Sequence, residues 1–108
     1  MRTEYSQHLS LHEKLLLLGL ARVLERTSNP YATMGDVEIA YRMACEELKE
    51  PSRAHTQVWK YVQNHNATGI ISTQLSTTGF RGKTTLLGLS TAPASAIRRW
   101  LEASLLKT

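Results

Sequence analysis

At 108 residues with 42% hydrophobic content, the chain is one ordinary folded domain and is too short for two. Its longest apolar run, Leu15 to Leu18, falls far short of the ~18 to 20 residues of a membrane span, no secretion signal opens it, and the lone Cys45 excludes a disulfide framework or multi-cysteine zinc site, so a cytoplasmic thiol is expected. The formal charge of +4 is segregated: Met1 to Glu50 holds six basic and eight acidic residues, whereas Pro51 to Leu101 holds Arg53, Lys60, Arg81, Lys83, Arg98 and Arg99 with no Asp or Glu, a balance that attracts polyanions.

Residues 1–9 are polar and aperiodic, which predicts a disordered lead-in or linker remnant before a domain over 10–107. Ser10-x-x-Glu13 is a capping box and starts a first helix that runs to about Arg26. Leu15 to Leu18, Leu20, Ala21, Val23 and Leu24 make that helix apolar on nearly every side, so it should be central. Ser28-Asn29-Pro30 ends it, and Tyr31 to Thr33 predicts a short edge strand. Thr33 can cap a second helix, with Val37, Ala40, Tyr41, Ala44, Cys45 and Leu48 as its buried stripe. A third helix is predicted over about Arg53 to Asn66. Val58, Tyr61, Val62 and His65 fall on one side of it, and Arg53, Gln57, Lys60 and Asn64 on another that is polar and acid-free. After Gly69 the period becomes two: Ile71, Thr73 and Leu75 point inward from one strand, and Thr85, Leu87 and Leu89 repeat the pattern in the next. Thr91 to Pro93 opens a last helix that packs through Ile97, Trp100, Leu101 and Leu105.

This order predicts an α+β winged helix-turn-helix, with a three-helix core, a β-hairpin wing and an extra C-terminal helix. In that fold the third helix enters a groove of duplex DNA and the hairpin loop reaches an adjacent one. Gln57 and Asn64 can each offer a donor and an acceptor to a base edge. Arg53 and Lys60 supply charge, Thr56 can meet a phosphate or a thymine methyl, and His55 stands at the helix start. In the loop, Gly79 and Gly82 permit close backbone approach, and Arg81 and Lys83 suit phosphates or a narrow minor groove. Singly, each of these residues reads as solvated surface; together, without a carboxylate, they point to DNA.

Three patterns fail as catalytic or metal sites. Gly79-Phe80-Arg81-Gly82-Lys83-Thr84 resembles the end of a P-loop, but Thr77 stands where the first glycine is needed and a strand follows. His8 and His12 lie beside Glu13 without completing His-Glu-x-x-His, so a surface or capping role is expected for them. His55 and His65 read as a helix-start contact and a core-edge residue. No catalysis, cofactor or metal is expected.

The stretches Leu11-His12-Glu13-Lys14-Leu15-Leu16-Leu17-Leu18, His55-Thr56-Gln57-Val58-Trp59-Lys60-Tyr61-Val62, Gly69-Ile70-Ile71 and Gly79 to Thr84 resemble the C-terminal winged-helix domain of archaeal origin-recognition replication initiators. The resemblance covers about Ser10 to Leu106. It implies an upstream AAA+ ATPase module and binding to double-stranded DNA at origin elements in the nucleoid. Arg53, His55, Thr56, Gln57, Lys60 and Asn64 would line a major-groove recognition helix, and Thr78, Gly79, Phe80, Arg81, Gly82, Lys83 and Thr84 the minor-groove wing. The chain lacks the family's ATPase motifs and is expected to act as an excised, monomeric domain, with some of Leu17, Leu20 or Leu24 docking on the absent module. The rival readings are a protein-interaction module with Trp59, Phe80 and Trp100 as exposed anchors, or a transcription regulator.

Overall fold

The first helix, α1 (Leu11–Thr27), starts from Ser10 with both arms of the capping box in place: Ser10 Oγ accepts from the Glu13 amide at 3.3 Å, and Glu13 Oε1 accepts from the Ser10 amide at 2.9 Å. The computed structural model describes residues 9–76 and 84–105. Helix α1 ends where Ser28 turns left-handed (φ 56°), two residues ahead of Pro30. It packs against every other helix and against two strands, which explains why apolar side chains around its whole girth are buried. Leu17, Leu20 and Leu24 are buried as well. The expectation that some of them face an absent module is thereby corrected, because the C-terminal helix folds back along α1 and closes the ring of neighbours.

After the two-residue edge strand β1 (Ala32–Thr33), helix α2 (Met34–Glu47) is capped by Thr33, whose Oγ1 accepts from the Asp36 amide at 3.2 Å. It buries Val37, Ala40, Tyr41, Ala44 and Cys45 of the expected stripe, while Leu48 is the C-cap and is half-buried. The α1–α2 crossing depends on Gly19, where an added Cβ would come within 2.8 Å of the Tyr41 backbone nitrogen.

Helix α3 spans His55–Ala67 and so begins two residues later than its periodicity indicates. Ala54 is extended (ψ 159°), and the Arg53 amide donates to the Tyr41 hydroxyl at 2.8 Å, which holds Arg53 outside the helix. Val58, Val62 and His65 form the buried side, and the left-handed Gly69 (φ 85°) turns the chain toward the sheet.

Strands β2 (Ile71–Ser76) and β3 (Thr84–Leu89) pair antiparallel from Ile71↔Leu89 to Ser76↔Thr84, and β1 pairs with β3 on its other side, giving the order β1-β3-β2. Only the base of this hairpin covers the helices. Ile71 and Leu87 are buried and Thr73 is half-buried, but Leu75, expected to point inward, is 59% exposed because the strands outrun the helices beneath them.

Helix α4 (Ala94–Leu105) follows Pro93, whose carbonyl accepts from the Ala96 and Ile97 amides. Ile97 and Leu101 are buried, and Trp100 and Leu105 pack half-buried on the core. Charged groups fasten α4 to its neighbours. Arg22 of α1 grips Glu47 of α2 at 2.8 Å and Glu102 of α4 at 3.2 Å, and Arg98 binds Glu25 and Glu102. One of the six cations in the acid-free stretch is therefore committed to the fold.

Candidate nucleic-acid interface

Helix α3 turns Val58, Val62 and His65 toward the core, so Thr56, Gln57, Lys60 and Asn64 emerge together on its outer side, all exposed, with exposed Arg53 just ahead of the first turn. The helix start is held from beneath by a chain of polar groups. The Arg53 amide donates to the Tyr41 hydroxyl, which lies 2.9 Å from His12 Nδ1, and His12 Nε2 lies 3.3 Å from Glu50 Oε2. One arrangement satisfies every atom: the tyrosine donates to Nδ1, and Nε2–H donates to the carboxylate. Burial pushes the Tyr41 phenol up to about 12, against the lowering effect of the Arg53 hydrogen bond, so the hydroxyl keeps its proton. His12 is buried and stacks on Tyr61 with ring centroids 6.3 Å apart, which corrects its expected surface or capping role. The signal was its spacing: it precedes Leu15 and Leu16 by three and four residues on a helix apolar all round.

Two carboxylates that sequence reasoning missed reach the ends of this face. Glu38 of α2 lies 2.7 Å from His55 Nδ1 through one oxygen and accepts from Arg42 Nη2 at 2.8 Å through the other, while Arg42 Nη1 donates to Ser52 Oγ at 2.8 Å. At the far end, Asn64 donates to Glu13 Oε2 at 3.1 Å and His65 Nε2 donates to the Glu13 carbonyl at 3.0 Å. Burial alone would raise the Glu13 carboxyl, but hydrogen bonds from the Ser10 amide and Asn64 outweigh it and hold the group below the usual carboxylate range. Burial lowers the His65 imidazole against the hydrogen bond to Glu13, favouring the neutral ring. Of the six α3 candidates, His55 and Asn64 are thus tied to acids. Arg53 and Lys60 form no ion pair among the described residues.

Residues 4–99 match the family described as CDC6, C terminal winged helix domain. The chain belongs to this family. The ORC1-type DNA replication protein 2 of Saccharolobus solfataricus is 42% identical over 83 residues, which are 77% of this chain and 20% of that protein. Its counterpart in Sulfurisphaera tokodaii is 34% identical over 82 residues, 76% of this chain and again 20% of the relative. The chain therefore spans 20% of the length of these curated relatives. Among solved structures, Cdc6p from Pyrobaculum aerophilum superposes with a TM-score of 0.79 at 34% identity, over 97% of this chain and 27% of its own. The Aeropyrum pernix ORC1 protein in complex with DNA gives 0.80 at 22% identity, over 95% and 26%, and shares the fold.

In this winged-helix domain the base of the wing is β2 and β3, and β2 packs against α3, so the hairpin leaves the body beside the candidate recognition helix. Thr84 is exposed at the start of β3. Thr78, Gly79, Phe80, Arg81, Gly82 and Lys83 lie outside the described residues. The rival anchors Trp59 and Trp100 are half-buried and pack against the core, and Phe80 is among the undescribed positions. Among the described residues, no group of three His, Cys, Asp or Glu side chains could hold a metal ion, and no helix is long and apolar enough to cross a membrane.

Proposed function

We propose that this winged-helix domain binds duplex DNA at replication origins as part of a longer initiator, with α3 in the major groove and the wing loop in the adjacent minor groove. The observation that carries the reading is the outer side of α3, where the side chains of Arg53, Thr56, Gln57 and Lys60 stand exposed and bond to no other side chain among the described residues. The first turn adds to it: no side chain caps the helix and no acid lies among its residues, so the positive end of the helix dipole favours a phosphate there. Gln57 has the donor and acceptor pair that reads adenine, Lys60 suits guanine or phosphate, and Arg81 and Lys83 of the wing supply phosphate contacts. The relative from Aeropyrum pernix was solved in complex with DNA, which supports the same ligand here. On this reading the ATPase chemistry belongs to an upstream AAA+ module of the whole protein, and this domain contributes DNA contact as a monomer.

Four cations, Arg53, Lys60, Arg81 and Lys83, are available for phosphates. At about −0.9 per contact, a plot of log affinity against log salt should have a slope of roughly −3.6. Fluorescence anisotropy with a labelled origin duplex between 50 and about 200 mM salt measures it, and Lys60→Ala should flatten the slope by about 0.9. Duplex binding that is absent at low salt, or indifferent to salt, refutes the proposal.

A further inference from the structure

His55 opens α3 with its side chain 64% exposed, and its Nδ1 lies 2.7 Å from a Glu38 carboxylate that is itself only 14% exposed. Glu38 is fixed in turn by Arg42, and Arg42 by Ser52, so the carboxylate cannot swing away without also breaking its contact to an arginine that is itself held in place. A carboxylate only accepts hydrogen bonds, so Nδ1 carries the hydrogen. In the neutral ring Nε2 then holds a lone pair, which repels a phosphate oxygen; in the imidazolium it holds an N–H, which binds one.

We propose that His55 is a proton-coupled phosphate contact: the Glu38–His55 pair takes up a proton when a DNA phosphate reaches Nε2, so that duplex affinity rises on acidification. The inference rests on the DNA-binding reading and deepens it. Nε2 has no partner among the described residues, and the ring stands beside the uncapped amides at the start of α3. The charged neighbours are Glu38 and Arg42 on α2, Arg53 in the preceding turn and Lys60 further along α3. Glu38 is the negative partner of the ring among the described residues. A phosphate brings the second negative partner that makes the charged form the favoured one.

The test is the affinity of the full chain for a labelled duplex at constant salt from about pH 6 to 8, the range in which imidazoles titrate, with thermal melting at each pH to confirm folding. The wild-type protein should bind up to about tenfold tighter per pH unit of acidification, the limit for uptake of one proton. His55→Gln should lose that pH response and bind more weakly at the acid end. Glu38→Gln should displace the response to lower pH. Equal pH dependence in the wild type and His55→Gln, or none in either, overturns this inference and leaves DNA binding standing. Failure to bind duplex at any pH removes both. An independent arm reads the imidazole nitrogens of the free protein by NMR, and a neutral tautomer with its proton on Nε2 also overturns the inference.

Discussion

Replacing Gly19 by alanine sets helix propensity against packing. Propensity alone forecasts a gain of about 1 kcal/mol, the usual penalty of glycine in a helix interior. The crossing with α2 forecasts the reverse. An added Cβ would lie 2.8 Å from the Tyr41 nitrogen, 3.1 Å from the Ala40 carbonyl carbon and 3.1 Å from the Tyr41 Cα. All three are backbone atoms, so no rotamer change relieves the clash, and the helices must part by roughly 0.5–1 Å to restore ordinary contact. Such a gap forfeits a quarter to a half of each affected dispersion well, and overpacking of this kind costs about 1–3 kcal/mol. Tyr41 would be displaced with its backbone, loosening the hydroxyl that holds the Arg53 amide and His12. Packing wins: taking the upper half of the overpacking range, a hydrogen-bond loss of about 1 kcal/mol and the propensity gain, Gly19→Ala should destabilise by roughly 2–3 kcal/mol. At 4–8 °C per kcal/mol for a domain near this size, the melting temperature should drop by roughly 8–24 °C. Urea unfolding and thermal melting measure both quantities. A variant as stable as the parent would refute the rigid crossing and the argument built on it.

Tyr41→Phe leaves the Arg53 amide and His12 Nδ1 without their partner, so urea unfolding should show a loss of about 1–3 kcal/mol and the Arg53 amide should exchange faster. His65 and Glu13 both have folded-state values below their ordinary 6.5 and 4.5. The stability they contribute is therefore complete above those values and is lost as pH falls, His65 acting first and Glu13 below it. The urea midpoint should decline on acidification from pH 6.5, and Glu13→Gln should flatten the lower part of that decline. Arg22→Ala cuts the ties to Glu47 and Glu102, but these partly exposed pairs are screened by solvent, so the loss should stay below about 1 kcal/mol per pair and shrink in high salt.

What the sequence exposed was whatever is settled within four residues. The caps at Ser10 and Thr33 are contacts between residues three apart, and the buried stripes of α2 and α3 follow from helical spacing. The same periodicity also misled. Arg53 is in phase with Gln57 and Lys60, which extended α3 backward, yet a hydroxyl 12 residues away on α2 holds Arg53 outside the helix. Glu38 and His55 are 17 residues apart and Glu13 and Asn64 are 51 apart, so no local pattern could join them. Leu75 alternates correctly with Ile71 and Thr73, but its exposure depends on how far the hairpin overhangs the helices, a tertiary quantity. Gly19 carries no local signal because the backbone that requires it lies on the other helix.

These non-local pairs change the meaning of the charge asymmetry. Six cations and no acid lie between Pro51 and Leu101 in sequence, yet Glu38 and Glu13 stand at the two ends of the α3 face and Arg98 is bound to Glu25 and Glu102. Both flanking carboxylates are engaged by His55, Arg42, Ser10 and Asn64, which leaves Arg53, Thr56, Gln57 and Lys60 as the candidate α3 residues whose side chains are uncommitted among the described residues. From Thr56 to Lys60 the helix rises about 6 Å, roughly two base steps at about 3.4 Å each. With about 1–3 kcal/mol of discrimination per good bidentate contact, one such contact gives a preference of about 5- to 160-fold, below the 10³-fold or more of typical specific DNA binders, and two pass that mark only in the upper half of the energy range. On the DNA-binding reading, then, α3 alone sets register and a weak sequence preference. The rest of the selectivity has to come from the wing, from further copies of the domain on neighbouring elements, or from the remainder of the longer protein, so the specificity ratio of the isolated domain should rise steeply when two copies are joined on a repeated site.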